Sequence, residues 1–176
     1  MSRTGLWDSH AHLDSDYFTS DRHELITNLQ AELDGIVNPG CDAETSAFAV
    51  ELAEKYDFIY AAVGWHPENL KDMPANYLDM LAAWAVHPKV VAIGEIGLDY
   101  YWKENEPKEV QKRVFLEQID IAKQFGLPNI IHDRDAHGDC FETVLRYPNV
   151  RGVFHSYSGS VEMAKELVRR GWYISF

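Results

Sequence analysis

Short apolar runs alternate along the chain with longer stretches in which apolar residues recur every three or four positions. A short apolar run bounded by turn residues reads as a buried strand, and the three-four spacing reads as an amphipathic helix. The pattern predicts strands over residues 6–10, 35–38, 58–63, 90–95, 129–132, 152–155 and 172–176. Helices fill the intervals. The first covers 21–33, with Asp21 and Glu24 spaced as a capping box and Leu25, Leu29 and Leu33 on one face. The second is capped by Asp42 and runs through Ala47, Val50 and Ala53. The third has Pro74 in its first turn and an apolar face of Leu78, Leu81, Trp84 and Ala85. The fourth starts near Pro107, passes Val110, Val114, Ile119, Ala122 and Phe125, and stops at Gly126 with Pro128 just beyond. The last two cover 136–147 and 161–170.

Regular strand–helix alternation means a parallel sheet with helices outside it. An open doubly wound sheet gathers its ligands at one switch point, whereas a barrel brings the carboxyl ends of all its strands to one mouth. Polar, chemistry-bearing residues recur after strands one, three, four, five and six. The expectation is therefore an α/β fold of the (β/α)8 TIM-barrel type, incomplete here. About six β/α units and a seventh strand form a single domain over 1–176, and strand eight is absent. Strands one and seven would then be open edges through which copies could associate. No internal repeat beyond this rhythm, no low-complexity tract and no linker interrupts the chain.

Composition adds limits. Hydrophobic residues make up 46% and charged residues 25%, as in an ordinary globular domain. No apolar run approaches the roughly 20 residues of a membrane span. Residues 1–5 carry no secretory pattern, and Cys41 and Cys140 lie far apart with no partner spacing, so a cytoplasmic location is expected. The formal net charge of -12 argues against coating nucleic acid by diffuse electrostatics. It leaves room for an enzyme whose bound cations meet the phosphates.

The candidate chemistry sits at the strand ends. In "WDSHAHLD", His10 and His12 are two apart, so both would point to one face of a strand and into the mouth. Asp8 has the same parity. It would hold a histidine tautomer, or serve as a structural carboxylate. Glu95 ends the apolar run "VVAIG", where a carboxylate is costly without a cation or hydrogen bonds. His132 and His155 each end a later apolar run. Four histidines and a glutamate at successive strand ends read as a metal site.

With these residues in place, the chain resembles a known family. "DSHAHLD", "GWHPEN", "GEIGLDYY", "LPNIIHDRDA" and "HSYSG" look like the successive motifs of the TatD-related deoxyribonucleases, metal-dependent hydrolases of the amidohydrolase superfamily. The resemblance covers almost the whole chain. It implies that His10, His12 and Glu95 bind one divalent ion, that Glu95 bridges to a second, and that His132 and His155 complete the second ion's ligands. Mg²⁺ is the implied metal, with Zn²⁺ or Mn²⁺ also suited to histidine. His66 would contact substrate phosphate, or be a loop histidine fixed beside Pro67. Arg134 would set charge opposite a phosphate, or form a surface ion pair. Ser158 and Gly159 would hold an anionic oxygen at a helix start, or only cap that helix. Tyr100, Tyr101 and Trp102 would stack on a base, or cover the rim. The acids of "DSDYFTSD" read as a solvated loop, and His23, His87 and His137 as surface residues. The family pattern also has an aspartate on its last strand, and no residue here matches it; Asp99, Asp133 and Asp135 lie in other motifs.

The implied function is cleavage of DNA phosphodiester bonds, at a single strand or a strand end, by metal-activated water. The alternatives are hydrolysis of a small ester or amide on the same ligands, and a catalytically impaired fragment.

Overall fold

The computed structural model describes residues 5–176; residues 1–4, part of the stretch read for a secretory signal, lie outside the described residues. The strands are β1 (Trp7–Asp8), β2 (Gly35–Pro39), β3 (Ile59–Val63), β4 (Val90–Asp99), β5 (Asn129–Arg134), β6 (Gly152–Phe154) and β7 (Tyr173–Ile174). The helices are α1 (Arg22–Glu32), α2 (Ala43–Lys55), α3 (Tyr77–Ala85), α4 (Lys108–Phe125), α5 (His137–Leu145) and α6 (Val161–Arg169). Single 3₁₀ turns cover Asp16–Phe18 and Pro67–Asn69. The seven strands form one sheet in sequence order, and every neighbouring pair is parallel.

The sheet is curled. His10 follows β1 and His155 follows β6, yet their rings stack 3.5 Å apart at 11°. Five strand spacings in a flat sheet would separate them by about 24 Å. This arc is a half-barrel of the TIM type, and it settles the choice between open sheet and barrel. Among the described residues β1 and β7 are its edges and do not pair.

Two apolar layers hold the arc. Ile36, Ile59, Ala61, Val63, Ile93, Ile131 and Phe154 belong to the large core with the helices. The alternate positions Val37, Ala62, Ala92, Ile130 and Val153 form a second, smaller cluster. Alternation along the strands places that cluster on the opposite face. Among the described residues no helix is long and apolar enough to cross a membrane.

Several local expectations change. Asp21 sits at the N-cap of α1 but makes no side-chain cap bond, so its predicted box with Glu24 does not form. Asp42 does cap α2 in a reciprocal box, with Thr45 as partner. The buried face of α2 runs through Ser46, Ala49, Leu52 and Ala53, while Ala47 and Val50 are only half-buried beside it. Pro74 lies before α3, which starts at Tyr77. Gly126 closes α4 as expected, in the left-handed conformation at φ 68°, and Leu127 N–H returns to Ala122 C=O.

Strand β4 runs four residues past its predicted end, to Asp99. The apolar run breaks at Glu95, which hid the extension. Gly97 makes it possible: its φ is 146°, and a Cβ there would lie 2.0 Å from the His132 carbonyl oxygen across the β4–β5 pairing. The strand ends are then locked from outside by two buried glutamines of α4. Gln111 accepts from the Asp99 N–H at 2.9 Å and donates to the Asp99 carbonyl at 2.9 Å. Gln118, seven residues on, does the same to Trp65 at 2.8 and 3.0 Å. These amides fix the backbone beside His66 and at the end of β4.

Candidate metal centre

Seven of the residues singled out in the sequence line one cavity of about 650 Å³ at the carboxyl ends of the strands: His10, His12, His66, Glu95, His132, Arg134 and His155. Glu95 is its centre. The residue is only 4% exposed. Its two oxygens face different imidazoles. Oε2 lies 3.1 Å from His10 Nε2 and 3.5 Å from His12 Nε2. Oε1 lies 3.1 Å from His132 Nδ1 and 3.8 Å from His66 Nε2.

Burial alone would raise the Glu95 pKa. Hydrogen bonds from His10, His12 and His132 outweigh it and hold the carboxyl well below the ordinary range. Glu95 is therefore an anion at neutral pH. His10 Nε2 and His12 Nε2 stand 3.0 Å apart and both face Oε2. Two imidazole lone pairs and one carboxylate oxygen meeting at a point suit a divalent cation. The donor atoms of His10, His12 and Glu95 lie within 4.8 Å of one another, as do those of His66, Glu95 and His132, and those of Glu68, Asp99 and His132.

His155 lies in the same cavity but in none of these groups. Its ring covers His10, and its Nδ1 is 3.3 Å from Ser175 Oγ. Burial, then the charge of His10, pushes its pKa down to about 4. His66 is likewise pushed down to about 4, by burial and the charge of His132. The His66 Nδ1 accepts the Glu68 N–H at 3.2 Å, so the proton of the neutral ring sits on Nε2, which faces the cavity. His66 is thus a donor there rather than a ready ligand.

Two supporting carboxylates were not legible as such. The Nδ1 of His12 is 3.7 Å from Asp14 Oδ1, and the same oxygen accepts from the fully buried Asn38 at 2.9 Å. The pair raises the His12 pKa to about 9, through Asp14 first and Glu95 second. Asp14 therefore faces the site and is half-buried, which corrects its assignment to a solvated loop. Asp99 is fully buried, and its Oδ2 lies 3.0 Å from His132 Nε2. Burial lowers the His132 pKa, but Glu95 and Asp99 together raise it above its usual value.

Asp8, by contrast, holds no ring: its Oδ1 accepts the His10 backbone N–H at 2.9 Å, and His10 Nδ1 is buried without a partner among the described residues. Arg134 forms no surface ion pair among the described residues, and its guanidinium instead lies 3.9 Å over the Tyr101 ring. The cap of α6 is Ser160, whose Oγ accepts the Met163 N–H, so neither Ser158 nor Gly159 supplies it. Ser158 lines the cavity. His23 is exposed, while His87 and His137 are half-buried, paired with Glu54 and Asp133.

Comparison with known proteins places this geometry. A profile described as TatD related DNase matches residues 7–176. A Bacillus subtilis protein described as the uncharacterized metal-dependent hydrolase YabD is 45% identical over 175 residues, which is 97% of this chain and 68% of that protein. The 3'-5' ssDNA/RNA exonuclease TatD of Citrobacter koseri is 33% identical, over 96% of this chain and 66% of that protein. The crystal structure of YjjV, a TatD homologue from Escherichia coli, superposes with a TM-score of 0.87 at 35% identity, covering 96% of this chain and 66% of that one. The chain spans about two thirds of the length of these relatives. It belongs to the TatD related DNase family.

Proposed function

We propose that the chain acts as a metal-dependent phosphodiesterase on nucleic-acid strands, taking DNA at an unpaired end. One observation carries the reading: a buried, ionised Glu95 whose two oxygens are divided between separate sets of imidazoles on the wall of an open cavity. That division suits a carboxylate bridging two cations. His10, His12 and Glu95 would hold one, and Glu95 and His132 the other, which His155 would complete by turning from its stack on His10. Divalent ions at such a site supply Lewis acidity, an acidified water and neutralisation of the phosphate. The histidine-rich donors accept Zn²⁺ or Mn²⁺ readily, and Mg²⁺ is the family-like ion.

The chain's own groups then have separate tasks. The Asp99 carboxylate accepts the Nε2–H of His132, which turns Nδ1 to the Glu95 side. The Asp14 carboxylate, 3.7 Å from His12 Nδ1, favours a proton on that nitrogen and so leaves Nε2 to face Glu95. His66, neutral near pH 7, offers its Nε2–H to a phosphate oxygen. Arg134 adds the positive charge at the cavity wall.

The test is degradation of single-stranded DNA by the purified chain with Mg²⁺, Mn²⁺ or Zn²⁺, beside a panel of small esters and amides. Chelation abolishes cleavage, and Glu95→Gln and His132→Ala each lower it by about a hundredfold or more. Cleavage that survives either substitution at the wild-type rate contradicts the reading. Turnover of amides or esters without cleavage of DNA moves the assignment to a small-molecule hydrolase.

A further inference from the structure

Beside the metal centre, next to the cavity-lining Arg134, stand two exposed aromatic rings. Tyr101 is 49% exposed and Trp102 is 41% exposed. Their rings meet edge to face at 4.7 Å and 85° and form a corner. The Arg134 guanidinium stands in it, 3.9 Å from the Tyr101 centroid and 5.3 Å from that of Trp102. Among the described residues this guanidinium makes no hydrogen bond or close ion pair, although its charge reaches the Glu68 carboxylate across the cavity that both line with His132. Tyr100 takes no part: its hydroxyl donates to Asp139 at 2.7 Å, and Lys108 lies 4.0 Å over its ring.

The corner is built to the same reference as the metal centre. Asp99 Oδ1 accepts the Tyr101 N–H at 3.0 Å and the Trp102 N–H at 3.2 Å, while its Oδ2 meets His132 Nε2. One buried carboxylate thus sets both the imidazole and the aromatic turn. Arg134 sits two residues beyond His132 and pairs with Asp99 across the β4–β5 register. A guanidinium held over a ring keeps N–H groups for anions.

We propose that Tyr101, Trp102 and Arg134 form a base-stacking subsite, which holds the nucleobase next to the phosphate in the metal centre. The inference rests on the reading of that centre as a strand-cleaving site and names how it chooses its substrate. The flat surface of any base can lie against the exposed faces of this cluster, so the grip is tolerant of sequence. A base inside a duplex is already stacked and cannot enter without unpairing. The subsite therefore selects unpaired strand ends. It also supplies the affinity that a chain of net charge -12 cannot draw from diffuse electrostatics.

The test compares dissociation constants, by fluorescence anisotropy, for a short phosphorothioate oligothymidine and the same strand with abasic terminal nucleotides. Wild-type protein binds the intact strand about tenfold more tightly, a typical effect of one stacked base. Trp102→Ala and Tyr101→Ala remove that preference and leave the abasic affinity unchanged. Trp102→Phe keeps it. The proposal is overturned if wild-type protein binds both strands alike, or binds neither. It is also overturned if Trp102→Ala weakens both strands equally, because the side chain then supports the fold or the backbone contacts. Cleavage of ordinary single strands by wild-type protein reports separately on the metal centre.

Discussion

Two imidazoles of the cavity are each gripped by a carboxylate on the side away from Glu95: His12 by Asp14 and His132 by Asp99. A carboxylate behind a ligating histidine fixes its tautomer and orientation. Asp99→Asn, which keeps the shape but not the charge, should weaken Mn²⁺ binding by about tenfold to a hundredfold in calorimetry. Unchanged affinity would remove Asp99 from this role. The second residue-scale prediction concerns protons. A cation needs a neutral imidazole, and His12 without metal titrates at about 9. It is protonated at neutral pH, so metal uptake must expel its proton. Apparent affinity should then rise at least about tenfold for each pH unit, more steeply where His132, also raised, releases its proton too, and level off near the His12 pKa. Calorimetry in buffers of different ionisation heat reads the released proton directly; a buffer-independent heat would contradict the assignment. Neither carboxylate could be singled out in the sequence, because an aspartate in a polar loop looks the same whether it faces water or a buried ring.

At the scale of elements, α4 is the part that holds the site from behind. Its glutamines reach two strand ends, and each satisfies a buried backbone N–H and C=O. Gln118→Leu would leave both Trp65 groups unpaired, at a cost of about 3 kcal/mol read from urea unfolding. A loss below about 0.5 kcal/mol would show that these bonds are replaced. Gly97→Ala tests the β4–β5 contact: the added methyl meets the His132 carbonyl, so both the melting temperature and Mn²⁺ affinity should fall. Loss of one without the other would separate the strand pairing from the site. The helix and strand positions were largely legible because buried parallel strands read as plain apolar runs. The glutamines were not, since a polar residue on a helix is usually solvated. The end of β4 was hidden by the glycines and the glutamate that interrupt its apolar run.

For the whole molecule, the curl of the sheet matters most. It brings residues that follow β1, β3 and β6 and residues within β4 and β5 to one cavity, and the stacked His10 and His155 record its closure to an arc. That convergence was legible from histidines recurring at successive strand ends, whereas the pairing of His155 with His10 depends on curvature that no local pattern encodes. The acidic surface sets a further expectation. With one or two cationic contacts to phosphate, binding of single-stranded DNA should fall by less than about tenfold between 50 and 200 mM salt. A steeper dependence in anisotropy titrations would mean a basic contact surface that the account does not contain. The central claim is that Glu95 organises a two-metal centre. Anomalous diffraction from crystals soaked in Mn²⁺ or Zn²⁺ tests it most directly. The account predicts two peaks at coordination distance from the Glu95 carboxylate, one beside His10 and His12 and the other beside His132. Peaks only at other residues, or none in fully soaked crystals, would contradict it.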